Sequence, residues 1–366
     1  MREKSYYRYV ELIFVLVVIF LFFRYRSSEI FYGLPYFWNR DEISFQASTL
    51  SSLSILTGYF EKAYNPFYAS FFNLIIILKS IFINEFLINS LSIEQIKSKI
   101  YFNTELFLYY GRLASVIITS FSIFCLYLIL KKLKINSIIL STLIITFATS
   151  LVALDVSTIM SKNSCYLLIY LIQLYYFIKF KIKIEKFNLK SYFIFGALAS
   201  LAWGVNYWPA SVSIYAVFSL HIIKYKLSKI NYLISFLIFF IIFGPIINSF
   251  FTNKGAIFWL MPDEANIFSI NLFLKSAFNE FFDGLRMLFF SEKNSLLLFA
   301  VTPIFLINKK VKFKKEILLI FFLVFEPLLL FSLSEEIPPQ LRYFAGINTV
   351  VIILIAIIFN EFNKNN

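Results

Sequence analysis

The sequence is poor in charged residues, cysteine and histidine. Only 15% of its 366 residues are charged and 60% are hydrophobic, whereas a soluble domain is about one quarter charged and half apolar. The two cysteines, Cys125 and Cys165, lie inside apolar runs, which is typical of small core residues rather than of a disulfide or a metal pair. A single histidine, His221, argues against histidine metal cages and Ser-His-Asp triads. Any chemistry must therefore come from carboxylates, Lys, Arg, Tyr and the backbone.

Long apolar runs separated by short Lys-rich links fill the chain. A helix of about 20 apolar residues crosses the hydrocarbon core of a bilayer. The pattern predicts an all-α, polytopic membrane helical bundle that forms one integral unit over residues 1–366, with about ten transmembrane helices. The predicted spans are 10–23, 106–130, 137–154, 164–180, 191–207, 209–223, 231–251, 294–308, 317–333 and 343–360. No small-residue cleavage site follows Phe23, so the first run predicts an anchor and not a signal peptide.

The positions of the lysines predict the orientation of the bundle. Cytoplasmic loops of membrane proteins are enriched in Lys and Arg. If the apolar run 65–82 lies along the outer surface, the Lys clusters at 131–134, 179–190, 224–229 and 309–315 all fall on the same side as the N-terminus. We therefore expect a multi-pass plasma-membrane protein with a cytoplasmic N-terminus. The net charge of +13 then reflects topology, so we expect membrane lipids and no nucleic acid among its partners.

This topology makes residues 24–105 a long external loop with interfacial helices inside it. Long ordered loops usually carry function. The loop contains "WNRDEISFQASTL", in which Asp41 and Glu42 follow Asn39. Asn39 as N-cap and Glu42 three residues later form the capping-box pattern that begins an amphipathic helix. The local pattern alone favours this structural explanation of the two carboxylates.

Cations recur at the predicted outer ends of the spans. Arg112 lies inside the second span, Lys162 precedes the fourth and Arg342 begins the last. Each one alone is better explained by a side chain that reaches lipid phosphate, although ionisable residues within spans usually face a polar cavity. Together with Asp41 they predict an outward-facing site, in which a carboxylate takes a proton from an acceptor hydroxyl and cations stabilise a leaving phosphate.

Four stretches resemble the GT-C superfamily of integral-membrane glycosyltransferases, which includes protein O-mannosyltransferases and the lipid A aminoarabinose transferase. They follow the family's order, and the match is best over the N-terminal half. The stretches are "RDEISFQASTLSSLSILTGYF", "YFEKAYNPFYASFFNLIII", "YYGRLASVIITSFSIFCLYLILKKL" and "QLRYFAGINTVVIILIAI".

The resemblance implies a role for each matching residue. Asp41 is the expected base that activates the acceptor, and Glu42 its neighbour in substrate or metal binding. Arg112 and Arg342 are expected to hold the phosphate of a polyprenyl-phosphate sugar donor, for transfer to a glycan, lipid or protein on the outer face. Further substrate-binding candidates are Tyr68, Asp155, Lys162 and Tyr343. The cofactor is left open: carboxylate oxygens suit a divalent metal ion, but the sequence shows no complete ligand set. Asn163 stands where relatives often have an acid.

Two other functions agree with parts of the sequence. A membrane transporter or flippase of lipid-linked or envelope precursors is favoured by Glu326 and the cations, but no repeat relates the chain halves. An envelope glycan polymerase or ligase predicts a long late external loop, for which 252–293 is a modest candidate. A relative that has lost catalysis also fits. A second Asp-Glu pair, Asp263 and Glu264 after Pro262, is explained as the start of a loop helix.

Overall fold

The computed structural model of the protein describes residues 2–31, 34, 90–160, 162–182 and 345–363. The regular structure in these ranges is entirely α-helical, without strands, as the apolar pattern predicts. The helices are α1 (Arg2–Glu29), α2 (Ile93–Phe102), α3 (Thr104–Lys132), α4 (Ser137–Ala148), α5 (Leu151–Thr158), α6 (Lys162–Ile182) and α7 (Ala345–Asn363).

Five of the predicted spans fall wholly or mostly on described residues, and their described parts are helical apart from residues 149 and 150. The span 106–130 lies in α3, and its segment Phe107–Lys132 is the one helix in the described ranges that is long and apolar enough to cross a membrane. Apolar segments of α6 and α7 are shorter. The spans between 191 and 333 and the run 65–82 lie outside the described residues, so the bundle of ten helices stays a prediction.

The predicted span 137–154 is not a single helix, because α4 and α5 meet at an angle of 49°. Polar side chains cause the break, and the mean hydropathy of the segment does not reveal them. Ser150 caps α5 by accepting a hydrogen bond from the backbone N–H of Ala153 at 3.2 Å. Upstream, threonine hydroxyls bond to the carbonyl four residues earlier at 2.8–3.0 Å, which bends a helix. These threonines are Thr142, Thr146 and Thr149.

Helix α2 lies within the predicted loop 24–105. A capping box at Ser92 and Gln95 begins it, with the two reciprocal hydrogen bonds at 2.7 and 3.3 Å. Its buried face, Ile96 and Ile100, joins the common hydrophobic core, and α2 packs against α3. The other face of α2 is exposed, so this segment is an amphipathic helix attached to the bundle.

Helix α3 is the centre of the described bundle, since it packs against each of the other six helices in these ranges. Small polar residues on α3 are buried, and their hydroxyls donate to the carbonyl four residues earlier at 2.8–3.3 Å. They are Ser115, Thr119, Ser120 and Ser122. Their polar groups are therefore satisfied within the helix, while their small size allows close approach of neighbouring helices, as at helix contacts within membranes.

Helix α1 presents a continuous apolar stripe on its outer side. The stripe consists of large side chains at helical spacing, which are 46–65% exposed. They are Tyr9, Val10, Ile13, Leu16, Val17, Phe20, Leu21 and Tyr25. Soluble monomers rarely expose apolar patches of this extent.

Candidate functional site

Polar clusters lie at the two ends of the antiparallel pair formed by α1 and α3. We call one cluster the Glu11 end, which consists of Glu11, Tyr127, Lys131 and Ser137. We call the other the Arg112 end, which consists of Arg26, Glu29, Ile30, Arg112, Asp155 and Ser157. At 1.5 Å per residue, the clusters are about 22 Å apart along α1 and about 28 Å apart along α3. These separations are close to the thickness of a bilayer's hydrocarbon core, about 30 Å.

Arg112 joins the end of α1 to α3. Its side chain is almost completely buried, with 1% exposure. Its Nη1 donates a hydrogen bond to the backbone carbonyl of Ile30 at 3.2 Å. This carbonyl directly follows α1, where a cation is favoured by the helix dipole and by the carbonyls that lack a helical donor. Arg112 therefore fixes the point from which the chain leaves α1 towards Asp41.

Arg26 joins α1 to α5 on the same end of the bundle. Arg26 is 6% exposed. Its guanidinium donates from Nε to Ser157 Oγ at 3.1 Å and forms an ion pair with Glu29 one turn along the helix. Asp155 also interacts electrostatically with it. A buried cation is tolerated only with such partners, so the contacts of Arg26 hold α5, and Asp155 with it, beside the end of α1.

Gly111, next to Arg112, allows the connection between α5 and α6 to approach α3 closely. A β-carbon at Gly111 would overlap Met160 Sδ and lie 2.7 Å from Met160 Cγ. Met160 is itself fully buried. The Gly-Arg dipeptide on α3 therefore combines close packing with a buried cation.

The structure brings two of the predicted substrate-binding residues to one end, Arg112 on α3 and Asp155 on α5. Lys162 begins α6, shortly after Met160 contacts Gly111, so its backbone also lies at the Arg112 end. Asn163, the next residue, is fully buried. The remaining candidates lie outside the described residues; they are Asp41, Glu42, Tyr68, Arg342 and Tyr343.

Arg26 and Glu29 were not predicted as site residues. Their available signal was weak: two opposite charges one helical turn apart, just beyond an apolar run. That pattern is equally typical of a solvated helix end. The sequence contains no local sign of their burial, since Ser157 and Asp155 on α5 are more than one hundred residues away.

Exposed aromatic rings surround the Arg112 end. Phe31 lies 5.1 Å from Tyr109, measured between ring centroids, and Tyr101 lies 5.2 Å from Phe102. Phe31, Tyr101 and Phe102 are 61–80% exposed. Tyr101 combines an apolar ring with a polar hydroxyl, as side chains at membrane–water interfaces do, and the two Phe rings add exposed apolar surface.

The side chains of the Glu11 end form a network of short hydrogen bonds. Lys131 Nζ donates to Glu11 Oε1 at 2.8 Å and to the hydroxyl of Tyr127 at 2.7 Å. Ser137 Oγ donates to Glu11 Oε2 at 2.8 Å. The network joins the start of α1 to the turn between α3 and α4, and each carboxylate oxygen of Glu11 has a donor.

The described residues include no group of three or more His, Cys, Asp and Glu side chains arranged to hold a metal ion. The two carboxylates considered for metal binding, Asp41 and Glu42, lie outside these residues. The charged groups that the structure describes at the Arg112 end are two buried guanidinium groups and two partly exposed carboxylates, those of Glu29 and Asp155.

Comparison with known proteins finds no matching family model, no matching curated protein and no matching solved structure. The resemblance to GT-C glycosyltransferases consequently rests on the four quoted stretches of sequence. The geometry of the Arg112 end is an observation on this chain alone.

Proposed function

We propose that the protein is an integral-membrane glycosyltransferase of the GT-C type, which moves a sugar from a polyprenyl-phosphate donor to a glycan, lipid or protein acceptor. The observation that carries this proposal is the pair of buried arginines, Arg26 and Arg112, at the end of α1. Asp41 follows the end of α1 in the sequence, and the proposal therefore assigns the base to the same end as these cations.

The proposed placement is multi-pass in the plasma membrane, with the Arg112 end at the outer face. Three features support it: the separation of the two polar ends, the apolar stripe on α1 and the exposed aromatic rings at the Arg112 end. The Glu11 end includes Lys131 from the Lys-rich turn at 131–134, and this positive charge favours a cytoplasmic position for that end.

In the proposed reaction, Asp41 accepts the proton of the acceptor hydroxyl. The oxygen of that hydroxyl bonds to the anomeric carbon of the sugar at the same time. The bond from this carbon to the phosphate oxygen breaks, and the polyprenyl phosphate leaves with its negative charge. Arg342 and Lys162 stabilise that charge. Arg112 is the other cation that the proposal assigns to the phosphate, and its hydrogen bond to the Ile30 carbonyl also holds the end of α1.

The remaining candidates have supporting roles in this proposal. Glu42 assists Asp41, whereas Tyr68, Tyr343 and Asp155 contribute to the walls of the donor site. Inversion at the anomeric carbon follows if the acceptor attacks from the side opposite the phosphate.

The decisive experiment compares strains that carry the wild type, Asp41→Asn or Asp263→Asn at equal membrane levels. Asp263→Asn is the matched control, because it makes the same chemical change in the chain's second Asp-Glu pair. Mass spectrometry of envelope glycans, lipids and polyprenyl-linked sugars should show one sugar missing from its acceptor in Asp41→Asn only, with the lipid-linked donor accumulated. Identical profiles in all three strains would refute Asp41 as the base.

A transporter or flippase of lipid-linked precursors is the second candidate, and the break between α4 and α5 favours it. Discontinuous helices often line the substrate sites of transporters. The two functions differ in where the lipid-linked sugar accumulates in a strain that lacks the protein. Accumulation in the outer leaflet supports a transferase, and accumulation in the inner leaflet supports a flippase.

A further inference from the structure

Asn348 on α7 is a buried amide with one unused hydrogen-bonding atom. Its side chain has no exposed surface, and its Nδ2 donates to Ser150 Oγ at 3.3 Å. Its Oδ1 accepts no hydrogen bond, and within the described ranges it is the one buried side-chain oxygen or nitrogen in this state. Buried polar atoms almost always have a partner, so this oxygen marks a place where a donor belongs.

The unused oxygen lies at the break between α4 and α5. Ser150 is the N-cap of α5 and accepts hydrogen bonds from both Ala153 N–H and Asn348. A hydroxyl with two incoming bonds still has its own proton to donate. The break therefore provides one acceptor, Asn348 Oδ1, and one donor, the hydroxyl of Ser150.

The acceptor and the donor at the break determine which kind of ligand can bind between them. An anion is disfavoured by the amide oxygen, and a Ca²⁺ or Mg²⁺ ion requires about six oxygen ligands. A water molecule both donates and accepts, and two to four polar partners are typical of a buried one. Rotating the amide by 180° leaves its NH₂ group without an acceptor instead, and water satisfies that group as well.

We propose that one structural water molecule is bound in the α4–α5 break, where it donates to Asn348 Oδ1 and accepts from the hydroxyl of Ser150. The water and the Asn348–Ser150 bond together connect α7 to the first turn of α5. Because α5 carries Asp155 and Ser157 at its other end, this connection also positions the part of the Arg112 end that α5 contributes.

The test compares thermal unfolding of the full-length protein in detergent with that of Asn348→Leu. Asn360→Leu is the matched control, since Asn360 is also buried, at 7% exposure, and lies on the same helix more than three turns away. If water is bound, Asn348→Leu expels it and removes the bond to Ser150. We expect its Tm to fall by about 2–4 °C relative to the control.

The opposite result is expected if no water is bound: the bond to Ser150 is still lost, but an unsatisfied buried oxygen costs more free energy than one such bond contributes. Leucine would then replace an unsatisfied oxygen, while Ser150 Oγ would keep the Ala153 N–H, so the Tm would rise. A direct measurement is an experimental map at about 2 Å resolution, in which the proposal requires a solvent peak within hydrogen-bond distance of the Asn348 amide. A rise in Tm, or a map without that peak, overturns the proposal. Neither measurement depends on sugar transfer, so the result is separate from that of the Asp41→Asn experiment.

Discussion

The Glu11 end and the Arg112 end both join α1 to α3 through charged side chains, but they differ in burial. Lys131 is 35% exposed and its partner Glu11 is 11% exposed, whereas Arg112 and Arg26 are 1% and 6% exposed. A partly exposed lysine keeps part of its hydration, so it requires few hydrogen-bond partners within the protein. A buried guanidinium must find its partners among the side chains and carbonyls around it. The Arg112 end is therefore the one whose geometry is determined by its charges.

Replacement of Arg112 should lower the free energy of unfolding more than any other change at the two ends. Arg112→Ala leaves a cavity in the core and removes the donor to the Ile30 carbonyl, so we expect the free energy of unfolding to fall by about 3–4 kcal/mol. Thermal or denaturant unfolding in detergent measures this. Arg24→Ala is the control, because Arg24 is an exposed arginine near the same end of α1. Equal losses in the two variants would show that burial does not distinguish Arg112.

Arg26→Ala should have the next largest effect. It leaves Ser157 without its donor and Asp155 and Glu29 without their cation, so we expect a loss of about 2–3 kcal/mol in the free energy of unfolding. Ser157→Ala removes only the hydroxyl and should lose about 1 kcal/mol. If the two variants were equally stable, the carboxylates would contribute nothing to the burial of Arg26.

Gly111→Ala tests the close packing beside Arg112. The added methyl group overlaps Met160, so we expect a loss of about 1–2 kcal/mol from overpacking. Met160→Ala makes room for the methyl group, and the double variant should be more stable than the sum of the single effects predicts. Strict additivity in unfolding measurements would mean that Met160 moves away without strain.

The ion pair at the Glu11 end should have the smallest effect. A double-mutant cycle of Glu11→Gln and Lys131→Met should give a coupling of about 0.5–1 kcal/mol, because the pair is partly exposed. Repeating the cycle in 1 M salt should reduce this coupling. The loss caused by Arg26→Ala should change much less with salt, since buried charges are poorly screened. A salt-independent coupling between Glu11 and Lys131 would contradict the proposed difference between the two ends.

Much of the helical architecture could be predicted from the sequence. The apolar run 106–130 is sufficient to place α3, because hydrophobicity over that length allows few alternatives. Arg112 was identifiable as a site candidate, since a charge inside an apolar span needs an explanation. The break at Ser150 was not predicted, because a hydropathy average conceals the effect of threonines whose hydroxyls bond to the carbonyl four residues earlier.

Arg26 shows where prediction from sequence ends for the candidate site. Arg24 and Arg26 are two residues apart with the same side chain, yet one is exposed and the other is buried. The choice between them depends on which face of α1 meets α5. Asp41, Glu42, Tyr68, Arg342 and Tyr343 lie outside the described residues, so their roles stay predictions.

The sequence by itself determined that the described residues form apolar helices and where α3 lies, since these follow from composition and local periodicity. Only the tertiary structure decided which charges are buried together. Arg26, Asp155 and Ser157 meet because α1 and α5 pack side by side, and the Asn348–Ser150 contact joins α7 to a helix almost two hundred residues earlier. Such pairings depend on how helices pack, and no local pattern contains that information.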